Sequence, residues 1–153
     1  MDFMPMLIER EIEIARPVEE VFDFVADPRH DVRWCRKVRS VERVADGRYA
    51  VVHKPVPGRP ARRMEMTRVT AEPPHRLEWR EDDGTDVFRV AYSLSATPSG
   101  GTLLRQRSDA TIGAVPRWLH PLWRRGIGRD LQRQLRDLKQ LLESPEGGRT
   151  TID

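Results

Sequence analysis

The feature that most restricts the fold is a series of six short segments between Lys37 and Ile112 in which apolar and polar residues alternate. A period of two is typical of strands that bury one face. Turn-forming residues separate the segments, and Asp46-Gly47 between two alternating runs is a strong hairpin signal. Because no helical pattern intervenes, neighbouring strands must pair antiparallel, which excludes a doubly wound parallel sheet.

An earlier segment shows the same alternation, with isoleucines mostly on one face and glutamates on the other. It predicts a first strand and gives a seven-stranded antiparallel sheet. Pro17 then precedes a short amphipathic helix over 18–26, and Asp27-Pro28 begins another short helical piece that reaches Trp34. The predicted strands are Met6–Ala15, Lys37–Val44, Arg48–His53, Arg62–Ala71, Arg76–Glu81, Asp86–Ala96 and Thr102–Ile112.

A long C-terminal helix is predicted from Pro116 to Ser144, with a stripe of leucines on one face. The stripe needs a partner, and the concave face of the sheet is the only large apolar surface available. We therefore expect one α+β domain over residues 6–143, in which the long helix closes a curved sheet over a ligand-sized cavity. Residues 144–153, which include Pro and paired Gly, are expected to form a flexible tail. The leucines of the stripe are Leu131, Leu135, Leu138 and Leu142.

Composition limits the class of protein. A chain of 153 residues can bury one core without the help of metals or disulfides. Cys35 is the single cysteine, and no signal peptide or membrane-spanning run is present, so we expect a cytoplasmic protein without stable membrane insertion. Lys and Arg number 27 against 24 Asp and Glu and are mixed along the chain, so no nucleic-acid partner is expected. A monomer or a homodimer is expected.

Several motifs accompany this order of elements. They are Ile12-Glu-Ile-Ala-Arg-Pro-Val-Glu-Glu-Val-Phe-Asp-Phe-Val-Ala-Asp27, Pro28 with Trp34 shortly after it, Glu72-Pro-Pro-His-Arg-Leu-Glu-Trp79, Gly100-Gly-Thr102 and the Leu-rich end from Leu131 to Glu143. Together they resemble the helix-grip fold of the SRPBCC superfamily, which includes START-like lipid-transfer domains and polyketide cyclase/dehydrase-like proteins. The resemblance implies a cavity for a hydrophobic or amphipathic small molecule. It does not choose an activity, because members include carriers, binding modules, cyclases and hydrolases.

Motifs for metal, cofactor or nucleophile chemistry are not found in the sequence. The four histidines are scattered and have no acidic residue at metal-ligand spacing, so no metal site is predicted. No Gly-rich loop leads from a strand into a helix N-terminus, so nucleotide binding has no support and no cofactor is expected. Cys35 beside Trp34 fits a small core residue better than a nucleophile.

Side chains that alternation directs inward give apolar walls with few polar groups, which is the character of a small-molecule site. Simpler roles remain open for them, since methionines also fill irregular space and a core tyrosine can bond a backbone group. The predicted ligand-binding residues are Trp34, Met64, Met66, Trp79, Phe88, Val90, Tyr92, Gln106, Trp118, Leu122 and Ile127.

No catalytic residue is assigned, and Tyr92, Gln106 and His53 are the candidates for general acid/base chemistry. Gln106 is the most informative, because an unpaired buried amide costs about 1–3 kcal/mol and should meet a polar group, water or a ligand. His53 lies near the Pro-rich loop, where it is either a base at the cavity mouth or a solvated strand end.

The segment from Pro116 to Gly128 carries more large apolar side chains than one narrow stripe can hold, together with a second proline and two glycines that weaken a helix. A kink or break is predicted here. Three interpretations remain open: a hinge or lid with Trp118 at the cavity mouth, a cap on the sheet, and an interfacial patch for anionic membranes.

The leading hypothesis is a domain that binds or carries a hydrophobic or aromatic small molecule. One alternative is an enzyme of cyclase, dehydratase or hydrolase type that works in the same cavity. The other is a protein–protein interaction module that uses the Arg-rich helix.

Overall fold

The computed structural model describes residues 4–56, 60–113 and 115–145. Its elements in chain order are β1 (Met4–Ile14), α1 (Val18–Val25), a 3₁₀ helix (Pro28–Arg33), β2 (Val38–Ala45), β3 (Arg48–His53), β4 (Arg62–Glu72), β5 (Arg76–Asp82), β6 (Val87–Ala96), β7 (Thr102–Ile112), a second 3₁₀ helix (Arg117–Leu119) and α2 (His120–Glu143). The predicted α+β class, with seven strands and a long C-terminal helix, is confirmed. Most of the predicted tail, from residue 146 on, lies outside the described residues.

The seven strands form one antiparallel sheet in the order β1-β7-β6-β5-β4-β3-β2. Strands β2 to β7 follow one another as a meander, and β1 joins the sheet beside β7. The β1–β7 ladder is continuous from Met4 opposite Ile112 to Ile14 opposite Thr102. This pairing places the first and the last strand of the chain side by side at one edge of the sheet.

Tight turns set the strand bounds. Gly47 between β2 and β3 has a φ of 68°, and Gly100 between β6 and β7 has a φ of 84°, which are values that side chains with a Cβ rarely adopt. Strands β3 and β7 have the predicted bounds, and the other strands differ by one or two residues at one or both ends. Alternation together with turn glycines therefore located the strands.

The main core lies between one face of the sheet and the two α-helices. Leu135 and Leu138 of α2 are fully buried in a cluster that includes Trp79 and Leu104 from the sheet. A second, smaller cluster joins Leu131 to side chains of β1 and β7. The leucine stripe thus holds the C-terminal half of α2 against the sheet.

Helix α2 is uninterrupted from His120 to Glu143, so the break that we predicted as an alternative to a kink is not present in this range. Pro121 lies in the first turn, where the N–H that proline lacks has no intrahelical partner to lose. Gly126 and Gly128 continue the helix without interrupting it. The irregularity comes before the helix instead, in the 3₁₀ helix Arg117–Leu119.

Candidate functional site

A cavity of about 200 Å³ lies between the sheet and α2. Apolar side chains supply much of its wall, among them Ile8 of β1, Phe88 of β6, and Trp123 and Ile127 of α2. Ligand sites commonly measure about 300–1,000 Å³. The cavity therefore suits a compact molecule.

One part of the wall contains a buried acid–base pair. The Nε2 atom of His53 lies 3.2 Å from Oε2 of Glu81, and the two side chains are 8% and 13% exposed. Burial raises the pKa of Glu81, but the hydrogen bond with His53 and the positive charges of His53, Lys37 and Arg62 lower it, and the net direction is downward. Glu81 is thus held as a carboxylate in the cavity wall.

Asp31 and Tyr92 line the same cavity and are shifted in the opposite direction. Burial, followed by the charges of Glu81 and Asp27, raises the pKa of the Asp31 carboxyl well above its ordinary value. Burial and the charge of Asp31 likewise raise the pKa of the Tyr92 hydroxyl well above its ordinary value. A pair of carboxyls with opposite shifts is the arrangement by which one fold keeps both a proton donor and a proton acceptor.

Cys35 also lines the cavity, but it is not an activated thiol. Burial, with the charge of Asp31 as a smaller cause, raises the pKa of the Cys35 thiol well above its ordinary value. A protonated thiol is a poor nucleophile, so the arrangement agrees with the structural role expected for this residue.

Gln106 on β7 presents a polar group to the cavity that the protein does not fully satisfy. The side chain is 4% exposed, and its Nε2 donates to Ser108 Oγ at 3.4 Å. Its Oε1 accepts no hydrogen bond from any residue in the described ranges. A buried acceptor of this kind is costly unless a water molecule or a ligand donates to it.

Arg62 and Asp86 form a clamp beside the cavity. Arg62 Nη1 donates to Asp86 Oδ2 at 2.7 Å and to Asp83 Oδ2 at 3.0 Å. The Gly113 N–H donates to Asp86 Oδ1 at 2.9 Å, and Asp86 is 1% exposed. The clamp ties β4 to the start of β6 and the end of β7, and it fixes this side of the cavity.

Several predicted site residues line the cavity. Alternation placed them correctly on the inner face of their strands, and Ile127 faces inward from α2. The predicted ligand-binding residues in the wall are Met66, Phe88, Val90, Tyr92, Gln106 and Ile127, and the catalytic candidate His53 also lies there.

The remaining predicted ligand-binding residues lie outside the cavity. Trp34 and Trp79 belong to the main core, where Trp79 makes an edge contact with Tyr49 at a ring separation of 5.8 Å. Met64 is fully buried elsewhere in the sheet. Trp118, in the 3₁₀ helix before α2, and Leu122, in the first turn of α2, are exposed to solvent.

Asp31 and Glu81 were not among the predicted site residues. Glu81 had a signal in the sequence, since it follows Leu77 and Trp79 at the same alternating positions of β5. Asp31 had none, because it comes from the short 3₁₀ helix, whose orientation depends on packing.

Neither a metal cluster nor a membrane span is found in the described ranges. Within residues 4–56, 60–113 and 115–145, no group of three or more His, Cys, Asp or Glu side chains is placed to hold a metal ion. In the same part of the chain, no helix is long and apolar enough to cross a membrane.

An open seven-stranded antiparallel sheet with a long C-terminal helix across it defines the helix-grip class of proteins. The chain belongs to the family described as polyketide cyclase / dehydrase and lipid transport, whose profile matches residues 6–143. The resemblance to the SRPBCC superfamily inferred from the sequence is thereby confirmed. A search of curated proteins found no match.

Solved structures share the fold at low sequence identity. A START superfamily protein from Mycobacterium smegmatis has a TM-score of 0.74 and 14% identity, with 88% of this chain and 94% of that chain covered. A protein from Deinococcus radiodurans has a TM-score of 0.69 and 19% identity, with 90% and 97% covered. The di-domain ARO/CYC BexL from the BE-7585A biosynthetic pathway has a TM-score of 0.70 and 15% identity, with 92% of this chain and 50% of that chain covered. These similarities establish the fold and no activity.

Proposed function

We propose that this protein binds or carries a compact hydrophobic or aromatic small molecule that has at least one hydrogen-bond donor. The observation that carries the proposal is the unpartnered Oε1 of Gln106, which is buried in the wall of an otherwise largely apolar cavity. An unsatisfied buried acceptor costs about 1–3 kcal/mol. A ligand that donates to this atom recovers that free energy, whereas an apolar ligand of the same shape does not.

The family and the fold support the proposal at a coarser level. The family description includes lipid transport as well as cyclase and dehydrase chemistry, and a structural relative is a START superfamily protein. Apolar walls with a few fixed polar groups are the general form of a small-molecule site.

A matched pair of ligands tests the proposal. We expect a naphthol to bind more tightly than its methyl ether by about tenfold, because only the naphthol donates a hydrogen bond. Titration calorimetry with Gln106→Leu should remove this preference, while Gln140→Leu, the same change at an exposed position of α2, should retain it. Absence of binding, or a preference that survives Gln106→Leu, would overturn the proposal.

The His53–Glu81 pair favours a second candidate, an enzyme that transfers protons in the same cavity. Glu81 would act as the base or orient His53, and Tyr92 or Asp31, whose pKa values are raised, would supply a proton. The chemistry that suits these groups is cyclisation or dehydration of a small carbonyl compound.

The enzyme candidate is tested with compact dicarbonyl compounds that can condense within one molecule. Mass spectrometry follows the loss of water with time. If the candidate is right, Glu81→Gln slows the reaction by about 10²–10⁴-fold and leaves ligand affinity within a factor of a few. A rate equal to that without protein argues against it and leaves the binding proposal untouched.

A further inference from the structure

We propose that the segment Arg117–Arg129 docks this protein reversibly on an anionic lipid surface. This docking segment comprises the second 3₁₀ helix and the first turns of α2. The proposal does not depend on what the cavity holds.

The docking segment exposes two large apolar side chains that the fold does not use. Trp118 is 79% exposed and Leu122 is 65% exposed, and these are the highest values among the exposed large hydrophobic residues in the described ranges. Other apolar residues of the same segment, Leu119, Trp123 and Ile127, pack against the cluster of β1 and β7. The segment is therefore apolar on two sides, and only one of them has a partner within the described chain.

The charge of the docking segment has one sign. From Val115 to Arg129 the sequence contains four arginines and no aspartate or glutamate. All four arginine side chains are exposed. They are Arg117, Arg124, Arg125 and Arg129.

These arginines have no ionic partners in the described part of the chain. Elsewhere arginines do find carboxylates, as in the 2.8 Å contact of Arg36 with Asp137 and the 2.6 Å contact of Arg48 with Glu65. A cluster of free guanidinium groups is complementary to lipid phosphates, with which arginine forms paired hydrogen bonds.

The geometry places the apolar and charged groups on a shared surface. Leu122, Arg125 and Arg129 are spaced by three and four residues, so they lie along one face of α2. Trp118 is exposed in the 3₁₀ helix just before α2. Tryptophan and arginine suit the boundary between headgroups and acyl chains, because each combines an apolar body with a polar group. Two apolar anchors give only reversible binding, so the arginines must contribute as well.

A second copy of the chain is a poorer occupant of this surface. A two-fold dimer places the same patch of both subunits face to face. Arg125 and Arg129 of one subunit would then meet those of the other, and this like-charge contact opposes association. An anionic lipid surface satisfies both the apolar and the charged groups.

Vesicle binding tests the proposal with the full chain. Vesicles of phosphatidylcholine alone are compared with vesicles of phosphatidylcholine and phosphatidylglycerol in equal parts, at low and high salt, by co-sedimentation. We expect binding to the mixed vesicles at low salt, and a loss of at least about tenfold in high salt because the attraction of surface charges is screened.

Matched variants separate docking from unspecific attraction. The pair Trp118→Ala and Leu122→Ala, and separately the pair Arg125→Gln and Arg129→Gln, should each weaken binding by about tenfold or more. The control pair Val44→Ala and Val69→Ala removes exposed apolar groups elsewhere, and Arg39→Gln with Arg63→Gln removes exposed charge elsewhere. Both controls should leave binding unchanged.

Tryptophan emission gives a second readout. Trp34 and Trp79 are buried and Trp123 is half-buried, whereas Trp118 is exposed, so a blue shift on adding mixed vesicles should come mainly from Trp118. Trp118→Phe should keep most of the binding and lose most of the shift.

Three outcomes would overturn the proposal. The first is no binding to mixed vesicles at low salt, and the second is a loss of vesicle binding in the control variants as large as that in the docking variants. The third is a dimer in light scattering that Trp118→Ala abolishes. Gln106→Leu should not change vesicle binding, and the docking variants should not change the naphthol preference, so a failure of one proposal is distinguishable from a failure of the other.

Discussion

Nε of Arg16 donates a hydrogen bond to the carbonyl oxygen of Leu142 at 2.7 Å and so joins the chain just after β1 to the last turn of α2. Its Nη2 also donates to the carbonyl oxygen of Ser144 at 3.3 Å. The last carbonyls of a helix have no intrahelical partner, and no basic residue of α2 lies in its own last turn. Arg16 therefore acts as a distant cap for the helix.

Replacing Arg16 with methionine should lower the free energy of unfolding by about 1–2 kcal/mol, since the helix end loses charge-assisted hydrogen bonds. Equilibrium urea denaturation measures the change. Arg133→Met, at an exposed position of α2, should change stability by less than about 0.5 kcal/mol. Equal effects of the two substitutions would show that the cap is not what stabilises the helix end.

Gly101→Ala should destabilise the protein by about 1–3 kcal/mol through steric overlap. A Cβ at this position would lie 2.7 Å from the carbonyl oxygen of Ile14 and 3.2 Å from Oγ1 of Thr97. The first of these atoms is backbone in β1 and cannot move without distorting the sheet. Thermal unfolding gives the measurement, and an unchanged midpoint would contradict the close approach of the two backbones.

Gly126→Ala should have the opposite effect. The position lies within α2, and a Cβ added there would meet no atom within 4 Å beyond its own helical turn. Alanine favours a helix over glycine by about 0.5–1 kcal/mol, so the free energy of unfolding should rise by that amount. A loss of stability in the same urea experiment would indicate that the helix is not regular at this point.

The stabilising effect of Glu81 should depend on pH in the acid range. Its pKa in the folded protein is lowered from an ordinary value of 4.5. The favourable contribution is therefore complete above that value and is lost as pH falls through the folded pKa. The difference in unfolding free energy between the wild type and Glu81→Gln should move in favour of the variant as the pH falls below about 4.5. If acidification instead made the wild type more stable relative to Glu81→Gln, the lowered pKa of Glu81 would be contradicted.

Asp31→Asn should behave in the reverse way. The pKa of Asp31 is raised well above its ordinary value of 3.8, so ionisation opposes folding once the pH exceeds that value. The variant should be more stable than the wild type at neutral pH, and its advantage should disappear as the pH approaches 3.8. Chemical denaturation across this pH range measures the difference in stability between the variant and the wild type. A variant that is less stable at neutral pH would show that the Asp31 carboxylate is paired.

The strands were predictable because local rules determine them. Alternation located β3 and β7 without error, and Gly47 and Gly100 mark turns that few other residues can form. The leucine stripe of α2 likewise required a partner face, and the sheet supplied one.

The site was less predictable, because alternation gives the face of a strand but not the limits of a cavity. Trp79 and Val90 lie opposite one another on β5 and β6, yet only Val90 lines the cavity. Trp118 was misplaced for another reason, since the change from a 3₁₀ helix to an α-helix alters the angular position of side chains. Asp31 depends on the packing of a short 3₁₀ helix, which no local pattern specifies.

The pairing of β1 with β7 also has a consequence for synthesis on the ribosome. The strand that is made first has its ladder partner in the strand that is made last, with Ile14 opposite Thr102. Until Ile112 has emerged from the exit tunnel, the backbone groups of β1 cannot complete that ladder. The nascent chain must therefore carry β1 without this partner while β2 to β7 are made, which is the kind of intermediate that chaperones protect.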